Sequence, residues 1–300
     1  MHRQNHLKRP DAFNLQSILL AALLLLVPIA SKATPENEKP HKAVSPRIIS
    51  LAPHLTEMVY SAGAGKHLVG AVNYSDYPPE ARQLPIIGDY NSLNLEALIK
   101  LKPNLILAWK SGNRLQDIER LKSLGFRVVE NEIHNLEDIP DSIALIGKLT
   151  GSEKIANKVA QTLHSLLTSI RLRHRDKPPI TTFYQVWNNP LITIGKNQFI
   201  SQGLALCNAE NIFNDLPGLS AQVSLEAVLQ RDPQLILIGG NKAFQKGWQQ
   251  NWEHYPTLAA VTRKHIFQVD NDLYQRPTER FILALPALCE LIDRAREDKL

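Results

Sequence analysis

The chain has 300 residues, 44% of them hydrophobic, and a formal net charge of +5. Arg3, Lys8, Arg9 and Lys32 stand against only Asp11 in the first 33 positions, so the remainder carries 30 basic and 28 acidic side chains. Such a near-neutral body gives no electrostatic reason to expect nucleic acid as a partner, and its length allows one large domain or two lobes.

The N-terminal basic residues precede an apolar run, Ile18–Val27, which Pro28 breaks; the small residues Ser31 and Ala33 follow. This is the pattern of a secretory signal peptide over 1–33, cut after Ala33. A spanning helix needs about 20 apolar residues, and this run is too short. No cysteine lies near the cut, so the expected product is exported, soluble and not lipid-anchored. Residues 34–46 (TPENEKPHKAVSP) are polar and without apolar period, and read as a flexible leader.

From Arg47 onward short apolar runs alternate with helical patterns. Strands are expected at Arg47–Ala52, Leu68–Val72, Leu105–Trp109 and Arg127–Val129. Helices are expected at Thr56–Ala62, from the cap Asn94 to Leu101, and at Leu115–Leu124. Ser152–Arg175 contains neither Pro nor Gly and places Ile155, Val159, Leu163, Leu166, Leu167 and Ile170 at helical spacing. Its last turn holds Arg171, Arg173, His174 and Arg175, suited to the negative end of a helix dipole. About 24 helical residues span roughly 36 Å, more than one small domain requires, so this segment reads as a stiff spine between two halves. Strands then recur at Ile180–Val186, Leu191–Ile194, Leu235–Ile238 and Ile266–Val269, with helices at Phe199–Cys207, Ser224–Leu229 and Glu279–Arg296. The expected fold class is α/β: two doubly wound lobes over 47–150 and 177–300, each with a central, mostly parallel sheet, joined by one long helix over 151–176.

The halves share a signature. Asn94–Leu107 reads NLEALIKLKPNLIL and Ser224–Leu237 reads SLEAVLQRDPQLIL, at a constant offset of 130 residues. Two lobes of one local design account for this, convergence of short βα units being the alternative. The repeat puts Glu96 and Glu226 at equivalent first-turn positions, where a carboxylate also stabilises its own helix.

Catalytic signatures are missing. There is no Gly-x-Ser-x-Gly, His-Glu-x-x-His, phosphate-cradling Gly-Lys loop or Gly-x-Gly-x-x-Gly. No two histidines of the expected folded region stand three or four apart, so a helical metal pair is absent and no metal or catalytic residue is expected. His54 follows the first strand, where a cleft residue can stand, but alone it reads as a polar loop residue. Cys207 and Cys289, an even count in an exported chain, suggest a bridge; two buried free thiols are the alternative.

Aromatics gather near strand ends: Tyr74 and Tyr77 in YSDYPPEA, Tyr90, Trp109 after LILA, Trp187 after FYQV, and Tyr274 with Arg276 in DNDLYQRPTER. Ligands of open α/β sheets bind beyond the carboxyl ends of the strands. These residues suit a large, flat, partly apolar ligand, although packing under a loop explains any one of them equally well.

The segments RIISLAPHLTEMVYSAGAGKHLVGAVNYSDYPPEA, GDYNSLNLEALIKLKPNLILAWKSGN, LALCNAENIF, QVSLEAVL and YQRPTER resemble the periplasmic vitamin B12-binding proteins of ABC importers, whose lobes are joined by one long helix. The resemblance runs from about Pro46 to about Ala295. It implies that Tyr74, Tyr90, Trp109 and the stretch Asp272, Leu273, Tyr274, Gln275 and Arg276 line a corrin cleft, with Trp187 shifted by one position from a family aromatic. It implies a Cys207–Cys289 bridge. It also implies that Glu96 and Glu226 dock onto the importer's permease dimer, which works with ATPase subunits. Cobalamin is then the transported ligand rather than a cofactor, the protein is a periplasmic monomer, and it is not an enzyme. Haem or a ferric siderophore is the alternative ligand.

Overall fold

The computed structural model describes residues 45–89 and 91–297. The expected signal peptide over 1–33, nearly all of the leader, and Tyr90 lie outside the described residues. Among the described residues, no helix is long and apolar enough to cross a membrane.

The first half alternates as its sequence pattern requires. β1 (Ile48–Ser50) leads to α1 (Pro53–Ser61), β2 (Leu68–Ala71), α2 (Leu95–Lys100), β3 (Leu105–Trp109), α3 (Leu115–Ser123) and β4 (Val128–Asn131). The strands pair in parallel in the order β2-β1-β3-β4, with Ile48 set between Leu68 and Leu105. The chain moves outward on one side of β1 and then on the other, so a crevice opens where the loops after β1 and β3 part. Helix α1 starts three residues before the expected Thr56 because Pro53 fits a first helical turn, where its missing N–H is no loss.

α4 (Asp138–Thr150) and α5 (Glu153–His174) follow. The sequence pattern left α4 unassigned: it carries Pro140 in its first turn and Gly147 near its end. The 22 residues of α5 span roughly 33 Å at about 1.5 Å per residue. Its buried face is Ala156, Ala160, Leu163, Leu167, Ile170 and His174. The expected core residue Ile155 is instead 53% exposed, and small alanines take the inner face. A Cβ on Gly147 would lie 2.2 Å from that of Ala156, so the two helices meet at near-backbone distance.

The second half runs β5 (Ile180–Trp187), β6 (Ile192–Ile194), α6 (Phe199–Leu206), β7 (Ala209–Asn211), β8 (Ser220–Gln222), α7 (Leu225–Arg231), β9 (Leu235–Ile238), α8 (Lys242–Glu253), α9 (Ala259–Thr262), β10 (Ile266–Gln268), α10 (Asn271–Tyr274) and α11 (Glu279–Glu297). Its sheet has the order β10-β9-β5-β6-β8, with β7 beside β5. β10, β9, β5 and β7 pair in parallel, but β5–β6 and β6–β8 are antiparallel. This sheet is therefore mixed, because the connection through Asn188–Leu191 is too short for a parallel crossover.

One apolar core runs through both halves, from Ile48 and Leu55 through Leu163 and Leu167 to Phe281 and Ile292. Separate clusters back each sheet, around Ile106 and Leu121 in the first half and around Phe183 and Trp252 in the second. Cys207 and Cys289 form a disulfide that ties the end of α6 to α11.

Candidate functional site

The loops that follow β1 and β3 face the second half across a trough with two adjoining hollows. The smaller, about 270 Å³, is lined by His54, Trp109, Phe199, Leu219, Gln275 and Arg276, among others. The larger, about 810 Å³, lies beside it and shares Glu132, Ile133 and Leu219 with it.

Trp109 is held on three sides. Its indole Nε1 donates to Glu132 Oε1 at 3.2 Å. Its ring meets the edge of the His54 imidazole at a centroid distance of 5.1 Å. It also lies against Gly112, where a Cβ would come within 1.9 Å of the ring; only glycine leaves room for the indole to fold back over the turn. Glu132 in turn accepts from Ser111 N at 2.8 Å and Ser111 Oγ at 2.9 Å. The indole is thus presented at a set orientation, half-buried, with area for stacking.

His54 lies in the first turn of α1 and is 5% exposed, not in a loop. Its Nε2 is buried without a hydrogen-bond partner. Burial, reinforced by the positive charge of Arg276, pushes its pKa down to about 3, so the ring is neutral.

Arg276 belongs to an ion cluster that crosses between the halves. Its Nη1 donates to Glu57 Oε1 at 3.0 Å and to Asp76 Oδ1 at 2.6 Å, and Asp272 lies 3.6 Å from Nη2. Arg280 makes a two-pronged contact with the same Glu57, at 2.8 and 2.7 Å, and stacks over the Tyr77 ring at 3.7 Å. Glu57 is only 3% exposed, so burial of its charge is answered by two guanidinium groups. Burial opposes ionisation of Asp76, but the hydrogen bond and charge of Arg276 outweigh it and hold the carboxyl below its usual range.

The structure brings Trp109, Gln275 and Arg276 together at the smaller hollow. Tyr74, in the turn three residues past β2, is 73% exposed, and its φ of 67° is strained for a residue with a side chain. Trp187 is 43% exposed, packs edge-on against Trp248 at 5.5 Å and donates to Asn189 O, outside the linings of both hollows. Tyr274 is turned into the core, where its hydroxyl donates to Ala284 O at 3.0 Å. Leu273 packs against the same core, and Asp272 is exposed beside Arg276. Glu96 and Glu226 are both exposed in the first turns of α2 and α7, whose caps Asn94 and Ser224 accept from Ala97 N at 2.9 Å and Ala227 N at 3.2 Å. Glu57, Asp76, Glu132 and Arg280 escaped the sequence reading. The only signal was the i, i+4 arginine pair of RPTER, and its carboxylate partners lie some two hundred residues away in the chain.

Residues 48–273 match the family model "Periplasmic binding protein". The vitamin B12-binding protein of Vibrio vulnificus is 33% identical over 271 residues, covering 90% of this chain and 95% of that protein. The vitamin B12-binding protein of Pectobacterium atrosepticum is 36% identical over 254 residues, covering 82% and 88%. The crystal structure of the periplasmic vitamin B12-binding protein BtuF of Vibrio cholerae superposes with a TM-score of 0.78 at 34% identity, covering 84% of this chain and 98% of that one. The haem-binding protein RhuT of Roseiflexus shares the fold, with a TM-score of 0.74 at 19% identity, covering 84% and 100%.

Proposed function

The chain belongs to the periplasmic binding protein family, and we propose that the solute it carries is vitamin B12, held in the trough between two lobes and handed to an ABC importer. It is a periplasmic solute-binding protein, not an enzyme. The relatives that support cobalamin are 33–36% identical over most of their length, while the haem-binding neighbour shares only the fold.

The observation that carries the ligand reading is the state of Arg276. An anionic siderophore requires free cations at the stacking end of the cleft, and Arg276 is already matched by Glu57 and Asp76. With His54 neutral and Arg276 paired, the hollow at Trp109 offers an aromatic face with no unpaired cation among the described residues of its lining. It suits a corrin ring edged with uncharged amides, stacked on Trp109 and contacted by Gln275; the resemblance to the vitamin B12-binding proteins adds Tyr74, Tyr90, Trp187 and Asp272 to the ligand set. The lobes are residues 47–150 and 177–300, with 151–176 as the connecting helix, and 1–33 is removed on export. Glu96 and Glu226 are the docking residues for the permease dimer.

Calorimetry of residues 34–300 against cyanocobalamin, haemin and a ferric siderophore tests the reading. One cobalamin per protein is expected. Binding of haemin without cobalamin overturns it.

A further inference from the structure

The larger hollow differs in charge from the stacking end. Lys110 enters it from the first half, directly after Trp109, with its backbone N–H fixed to Asn131 O at 3.0 Å. Lys196 enters from the second half, after β6, with its N–H fixed to Leu216 O at 3.0 Å. Both side chains are exposed, and neither takes part in an ion pair among the described residues. The one carboxylate in the lining, Glu132, is already hydrogen-bonded to Ser111 and Trp109. Gln202 closes the floor: its Nε2 donates to His134 O at 2.6 Å and its Oε1 accepts from Leu136 N at 3.1 Å, so the two walls are stitched together below the lysines. The trough is therefore polarised: its arginine at the Trp109 end is already paired, whereas Lys110 and Lys196 are, among the described residues, two unpaired cations against the single carboxylate Glu132.

We infer that the larger hollow is the subsite for the ligand's single anionic group, a phosphodiester held between Lys110 and Lys196. This rests on the cobalamin reading. The corrin ring of cobalamin carries uncharged amides, and its nucleotide loop carries one phosphodiester, so an end without an unpaired cation beside an end with two matches the charge layout of the ligand. Lysine suits a phosphate as a compact point charge with three donors. Two such contacts, one from each wall, would also fix which way round the ring enters.

The test is calorimetry of cyanocobalamin and of dicyanocobinamide, which lacks the nucleotide loop, against the native protein, the double variant K110A/K196A and the charge-retaining K110R/K196R. Removing both lysines should weaken cobalamin binding by about five- to tenfold, as expected for two partly exposed charge pairs. Cobinamide affinity should not change, and the arginine pair should restore cobalamin binding. A double variant that binds cobalamin as the native protein does, or that loses both corrinoids equally, overturns the subsite alone. A native protein that binds neither corrinoid overturns the cobalamin reading, and the subsite with it.

Discussion

Glu57 is the residue on which the contact between the halves turns. Both its oxygens are occupied by guanidinium groups from the far end of the chain, and burial leaves water no access to replace them. Removing one partner of a buried charge cluster costs about 3–5 kcal/mol, and Arg276 keeps Asp76, so Glu57→Gln is expected at the lower end, about 3 kcal/mol. The urea unfolding midpoint measures it; an unchanged midpoint refutes the role. His54 sets a pH dependence of known sign. Its folded pKa of about 3 lies below the ordinary 6.5, so the unfolded chain takes up a proton that the folded protein refuses. The stabilisation is complete above pH 6.5 and is lost as pH falls, by about 2 kcal/mol between pH 6.5 and pH 5. Asp76, whose folded pKa is depressed, gives up its contribution only below its ordinary 3.8, outside that window. Comparing unfolding at pH 7 and pH 5, the loss should shrink in His54→Gln; an equal loss in both proteins refutes the assignment. Trp109 and Arg276 were legible because an aromatic or a basic residue after a strand stands out locally. Glu57 was not, since it looks like any carboxylate on a short helix and its partners are 219 and 223 residues away.

At the scale of elements, legibility followed the length and purity of the pattern. α5, free of Pro and Gly, matched its expected span to within a residue at each end, whereas α4, with Pro140 and Gly147, went unassigned. Neither residue breaks the helix in three dimensions. Pro140 sits in the first turn, where no N–H is needed, and Gly147 is the point of closest approach to Ala156. A prediction follows in which propensity and packing disagree. Ala for Gly in a helix interior normally gains about 1 kcal/mol, but here the new Cβ meets that of Ala156 at 2.2 Å. Overpacking costs about 1–3 kcal/mol, so Gly147→Ala should destabilise the protein; a raised melting temperature would show that α4 yields freely. The repeat was the most reliable element-scale signal. At an offset of 130 residues both copies form a capped helix followed by a buried strand, with Leu98 and Val228 as the buried residues. The antiparallel β6 and β8 were less legible, because three-residue strands carry too little periodicity to reveal their direction.

At the scale of the whole molecule, the repeat and the core make a joint argument about docking. The apolar core is continuous through both halves, α5, Gln202 and the Glu57 cluster bind one half to the other, and the disulfide braces the second half internally. A body held in this way keeps the separation of its surface features. Glu96 and Glu226 are such features: each is exposed in the first turn of a capped helix, at matching points of the repeat. If both carboxylates dock as proposed, rigid spacing would convert two weak contacts into one bivalent grip, because once the first is seated the second is delivered at high effective concentration. Exposed charge pairs are worth about 0.2–1 kcal/mol singly, so neither glutamate alone would hold the importer, and loss of either should weaken docking well beyond its own pair energy. Neither residue lines a hollow of the trough, so Glu96→Ala and Glu226→Ala should each lower cobalamin uptake in proteoliposomes while leaving calorimetric affinity for cobalamin unchanged. The double variant should transport no better than the weaker single one. Native transport in both single variants would remove the bivalent grip and return the two carboxylates to their local duty at the positive ends of α2 and α7.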